Sequence, residues 1–139
     1  RSMPVGAGHG ELEKLCMDTK TALRKAIYTC KAGQRMNAIG RIVEKEAGRG
    51  GYNVIPELCG HGVGASIHEG PQVFNIYVKD GHERLCRGLV MPIEPFVTHG
   101  LGEIYEADDG WTLKTTDGAI AAQFEHSFVV TKGQPIILP

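Results

Sequence analysis

The sequence predicts an α+β domain, on three observations. Two amphipathic segments come first, about six short β-prone stretches follow, and strands never alternate with helices. That order suits two helices packed on one face of a mainly antiparallel sheet. With 139 residues and 42% apolar content the chain can bury one core rather than two. Residues 11–139 therefore read as a single domain, and residues 1–10 as a tail whose Arg1-Ser2-Met3 reads in part as an expression remnant.

From Glu11 to Cys30 the apolar positions Leu12, Leu15, Cys16, Leu23, Ala26, Ile27 and Cys30 recur at three- and four-residue spacings, with Glu13, Lys14, Lys20 and Arg24 between them. This periodicity predicts a helix with one buried stripe. It is expected to stop near Gly33, since a glycine can take the left-handed conformation that ends helices. Met36, Ile39, Val43 and Ala47 mark a second helix, closed by Gly48, Gly50 and Gly51. Beyond Tyr52 the predicted strands are Asn53–Ile55, Val73–Val78, Leu89–Val97, Trp111–Thr115, Phe124–Thr131 and Pro135–Leu138.

Charge and composition narrow the function classes. The net charge is −1 and no block of Lys or Arg stands out, so neither a nucleic-acid nor a membrane-surface partner is expected. The apolar runs fall well short of the roughly 20 residues that span a bilayer. Cys16, Cys30, Cys59 and Cys86 form no CxxC pair, which points to reduced thiols and a cytoplasmic setting.

Chemistry concentrates in three places. In Cys59-Gly60-His61-Gly62-Val63-Gly64-Ala65-Ser66-Ile67-His68-Glu69-Gly70-Pro71-Gln72-Val73, two histidines flank a glycine-rich run that lets backbone approach a ligand closely. They are either metal or proton-transfer groups, or partners in a hydrogen-bonded turn. Glu94 lies within the apolar run Met91-Pro92-Ile93-Glu94-Pro95-Phe96, where an ionised carboxylate needs a compensating partner. A salt bridge to Arg84 or Arg87 would serve, and so would a bound cation. Glu125 is similarly placed in Ala122-Gln123-Phe124-Glu125-His126-Ser127-Phe128-Val129-Val130, where alternation groups Phe124, His126, Phe128 and Val130 on one strand face. Glu125 then points into the same interior as Glu94. Two carboxylates and a histidine suit Mn, Co, Fe or Zn, and without a positive charge between them the carboxylates repel. His9, His82 and His99 read as surface or turn residues, His126 as a sheet hydrogen-bonder, and Trp111 as a core residue.

Gly60-His61-Gly62-Val63-Gly64, His68-Glu69-Gly70-Pro71-Gln72-Val73, Ile93-Glu94-Pro95, Trp111-Thr112-Leu113-Lys114-Thr115 and Ala122-Gln123-Phe124-Glu125-His126 resemble, in order and spacing, the C-terminal half of type I methionine aminopeptidases. The resemblance runs from about Leu12 to Leu138 and implies half of a pita-bread fold. It also implies metal ligands at His61, Glu94 and Glu125, and a substrate-contacting histidine at His68. Leu58, Ile67 and Trp111 would lie at the methionine pocket, with Leu58 and Ile67 standing where the family usually has aromatic residues. The implied chemistry is hydrolysis of the first peptide bond by a metal-activated water, with Glu94 helping to move its proton. Two aspartate ligands and another histidine belong to the family's N-terminal half, and no aspartate here has a matching context. Pro92 replaces the usual threonine two residues before the glutamate. The resemblance therefore implies inactivity alone, or activity after completion by a homodimer or a complementary N-terminal half. The alternative is a catalytically dead module that binds a peptide N-terminus or a protein.

Overall fold

The computed structural model describes residues 1–139. The apolar periodicity of the first segments folds as α1, Gly10–Thr29, and α2, Asn37–Arg49. Leu15, Ala22, Leu23, Ala26 and Ile27 of α1 are buried, as are Ile39, Val43 and Ala47 of α2. The first helix stops earlier than expected: the Cys30 N–H already donates to the Ile27 carbonyl. Gly33, at φ +89°, shapes the turn that follows. Lys25 and Arg49 both reach Glu46, at 2.6 and 2.8 Å, and such exposed pairs contribute about 0–1 kcal/mol.

The remaining chain forms β1 (Asn53–Val54), β2 (Gly60–Gly62), β3 (Glu69–Val73), β4 (Val90–Ile93), β5 (Phe96–Thr98), β6 (Ile104–Glu106), β7 (Leu113–Thr115), β8 (Ala121–Gln123), β9 (His126–Val129) and β10 (Ile136–Ile137). Every ladder is antiparallel. Instead of one sheet there are two three-stranded sheets, β1-β5-β8 and β10-β9-β4, and two ribbons, β2-β3 and β6-β7.

Two expected strands are each divided, and the division positions the site. Leu89–Val97 breaks at Glu94-Pro95, so that β4 joins one sheet and β5 the other. Pro95 has no N–H to give a ladder. Phe124–Thr131 begins as a strand only at His126, and β8 precedes the break at Phe124-Glu125. Ile93 pairs with His126 and Phe96 pairs with Gln123, so the two breaks face each other. Glu94 and Glu125 occupy those facing breaks.

The expected strand Val73–Val78 is also corrected: β3 covers Glu69–Val73, and residues 74–78 are irregular. There the backbone of Ile76 lies so close to Gly40 of α2 that a Cβ on Gly40 would overlap its carbonyl. Extended pairing gives way to this approach. Trp111 is not a core residue; at the β6–β7 connection it is 86% exposed, and its backbone N–H donates to the Asp109 carboxylate at 3.0 Å. Nor is the N-terminal tail idle, because Ser2 exchanges two hydrogen bonds with Gln123, at 2.8 and 2.9 Å.

The main core joins Leu23 and Ile27 of α1 and Ile39 and Val43 of α2 to Met91, Ile93, Phe128 and Val130 of the β4–β9 layer. A smaller cluster, Leu15, Ala47, Tyr52, Val97 and Ala122, backs the other sheet. Ile39→Val removes one methylene from the main core and is expected to lower stability by about 0.5–1.5 kcal/mol, read by urea unfolding. All four cysteines are free thiols, and burial pushes Cys30 up to about 12. No helix is long and apolar enough to cross a membrane.

Candidate metal centre

The glycines around His61 allow its strand to lie unusually close to its neighbours. A Cβ on Gly60 would stand 2.6 Å from the Pro92 carbonyl of β4, and one on Gly62 would overlap the Gly70 carbonyl of β3. The close approach sets His61 over the break at Glu94. Its Nδ1 lies 2.9 Å from the Gly62 carbonyl, an acceptor only, so Nδ1 carries the proton and Nε2 keeps a free lone pair in the neutral ring. That Nε2 is 3.6 Å from Oε1 of Glu94. His68 packs edge-on against His61 with ring centroids 4.3 Å apart. Glu69 pins the intervening loop by accepting the Ser66 N–H at 2.7 Å.

Donor atoms of His61, Glu94 and Glu125 all lie within 4.8 Å of one another. Glu125 is exposed rather than interior, because the wall on its side is open. Burial raises the pKa of Glu94, and the Glu125 charge raises it further; His61 and the Gln123 side chain pull it back. The salt bridge to Arg84 or Arg87 does not form: Arg84 instead donates to the Gly33 carbonyl at 2.6 Å, and the partner of Glu94 is His61. Two mutually repelling carboxylates and an imidazole nitrogen, with no Lys or Arg salt-bridged to either carboxylate, are a donor set that fits a divalent ion.

The other expected site residues are dispersed. His68 joins Cys59, His61 and Glu94 around an open cavity of about 410 Å³. Leu58, Ile67 and Trp111 do not line it, and Ile67 is 74% exposed. His99 and His82 are exposed, His9 is half-buried, and His126 donates its Nε2–H to the Leu138 carbonyl at 2.9 Å. Sequence reasoning missed Gln123 and Asn75. Asn75 carried the same signal as Glu94, a polar residue inside an apolar run.

A pH test follows from Glu94. A carboxyl with a raised pKa binds its proton more tightly in the folded chain than in the unfolded one, where Glu titrates near about 4.3. The metal-free fold therefore loses stability as pH rises from that value through the higher folded one. In chelator, Glu94→Gln is expected to melt above wild type at neutral pH, with the difference gone below about pH 4. Circular-dichroism melts across that range check it, and equal midpoints at neutral pH would count against an uncompensated Glu94.

Comparison with known proteins identifies the family. The sequence profile of metallopeptidase family M24 matches residues 1–132. Methionine aminopeptidase 2 of Bacillus subtilis is 44% identical over 138 residues, covering 99% of this chain and 55% of the relative. Among solved structures, methionine aminopeptidase from Thermotoga maritima superposes with a TM-score of 0.90 at 34% identity, over 96% of this chain and 53% of that one. X-Pro aminopeptidase from the same organism, at 18% identity and a TM-score of 0.70, covers 97% of this chain and 34% of its own; it shares the fold. The chain spans about half the length of the curated relatives it matches. With the two glutamates at facing strand breaks and the histidine on the adjoining β2 strand, on a methionine aminopeptidase fold, the chain belongs to metallopeptidase family M24 and is methionine aminopeptidase-like.

Proposed function

We propose that this chain forms one wall of an active site that removes N-terminal methionine from peptides, and that a second protein surface completes it. The observation that carries the reading is the convergence of His61, Glu94 and Glu125 with no Lys or Arg paired to either carboxylate. A divalent ion of the Co, Mn, Fe or Zn kind, when bound, supplies Lewis acidity and a more acidic water. Glu94, at the cavity beside His61 and His68, is placed to accept a proton and return it to the leaving amine. His68, held against His61 at the cavity, is placed to hydrogen-bond the substrate.

Completion is supported by the open side of Glu125. A cavity of about 340 Å³ there is lined by the apolar Tyr28 and Ile137 and by the basic Arg1, Lys20 and Arg24 beside Glu125, a mixed surface that another protein could cover. The two candidates are a complementary N-terminal half and a second copy of this chain, which would bring a second set of the three donors. Free thiols accord with a cytoplasmic setting.

The exposure of Ile67 and Trp111 favours a second reading, a binding module without catalysis, since neither forms a pocket wall in the lone chain. Methionine release from a Met-Ala-Ser peptide separates the two. With divalent cation present, the lone chain is expected to be inactive and to gain activity on addition of an N-terminal half from a methionine aminopeptidase; Glu94→Gln is expected to abolish the gain. No gain with a half that demonstrably binds would favour the binding module.

A further inference from the structure

We propose that Asn75 is a positioning residue that ties the Glu94 segment to the Leu58–His61 segment, holding the carboxylate and imidazole in register for a shared ion. The inference rests on the metal reading of the site, and it concerns a residue outside the donor set. Asn75 is 0% exposed, and its Nδ2 lies 2.9 Å from both the Leu58 and the Glu94 carbonyls. Carbonyls only accept, so the amide orientation is fixed: both N–H bonds point at the backbone, one at each segment. One side chain thus clamps the residue three positions before His61 and the backbone of Glu94 itself.

The amide oxygen shows what this arrangement costs. Oδ1 of Asn75 is buried without a hydrogen-bond partner, and it is the only such side-chain atom in the protein. A buried orphan acceptor is unfavourable, and an apolar residue of similar volume would avoid it. The position therefore makes sense for its two donors rather than for packing. Local structure serves the same end. Where a continued strand would have paired residues 74–78, the chain leaves β3 after Val73, and Gly40 of α2 admits the Ile76 backbone next to Asn75. Glu94 and Pro95 lie outside any strand, so Glu94 lacks a ladder to fix its backbone. The Asn75 donor takes the place of that ladder.

Asn75→Leu keeps the number and branching of the side-chain heavy atoms and removes both donors. Hydrogen-bonded supports of metal ligands typically change affinity by about 10–100-fold, so the dissociation constant for Mn²⁺ is expected to rise by about tenfold or more. Thr98→Val is the control. Thr98 is equally buried and its hydroxyl donates to the Ile120 carbonyl at 3.0 Å, so it perturbs the fold without touching either ligand segment. Titrations are run well below the melting midpoint of each variant. Wild-type affinity in Asn75→Leu, or equal losses in both variants, would overturn the proposal. A metal-free crystal structure of Asn75→Leu gives an independent readout. The His61 Nε2–Glu94 Oε1 separation is expected to open beyond 3.6 Å, and an unchanged separation would overturn it. Should the wild-type chain bind no Mn²⁺, the metal reading fails, while the crystal comparison still decides the role of Asn75.

Discussion

Glu94→Gln is expected to weaken divalent-cation binding by at least about 100-fold, the upper end of the losses seen when only a ligand's hydrogen-bonded support is removed. The amide keeps the shape of the side chain and removes its charge. In the metal-free protein that removal is favourable, because burial and Glu125 both oppose ionisation of Glu94. In the loaded protein it is unfavourable, because the ion loses an anionic donor. One substitution should therefore move stability and affinity in opposite directions. Calorimetric titration with Mn²⁺, set beside melts in chelator, reads both; a variant that lost affinity and stability together would point to misfolding instead.

Phe128→Ala is expected to cost about 3–5 kcal/mol, a large share of the 5–15 kcal/mol that typically separates folded from unfolded domains. Phe128 is 0% exposed. It faces Met91 of β4 and Ile137 of β10 across the sheet, at the centre of the layer that meets both helices. Truncation leaves a cavity that rigid neighbours on two strands only partly fill. Because β9 starts one residue after Glu125, loosening it should also loosen that carboxylate. Urea unfolding measures the first effect, and metal affinity at low temperature the second.

The helices were legible in the sequence because a helix buries a stripe whose period the chain must repeat. Leu15, Leu23 and Ile27, then Ile39 and Val43, fall on that stripe and are buried. The strands were legible as β-prone texture but not in their bounds. Leu89–Val97 and Phe124–Thr131 look continuous because their apolar residues are, whereas each chain changes sheets midway, a tertiary event that local pattern does not encode. Those same breaks carry Glu94 and Glu125. The charged residue in each apolar run is therefore the visible trace of the break. Asn75 left the same trace in Val73–Val78. Trp111 misled because aromatic residues usually fill cores, and nothing in the sequence of the Asp108-Asp109-Gly110 turn shows that the β6–β7 ribbon projects it outward.

The central claim is that His61, Glu94 and Glu125 hold one divalent ion together. It is tested most directly by titrating Mn²⁺ into the wild-type chain and into His61→Ala, Glu94→Gln and Glu125→Gln, with melts to confirm that each variant is folded. The account predicts a saturable site in wild type that each of the three substitutions weakens. Binding that survives all three, or none in the wild type, would contradict it.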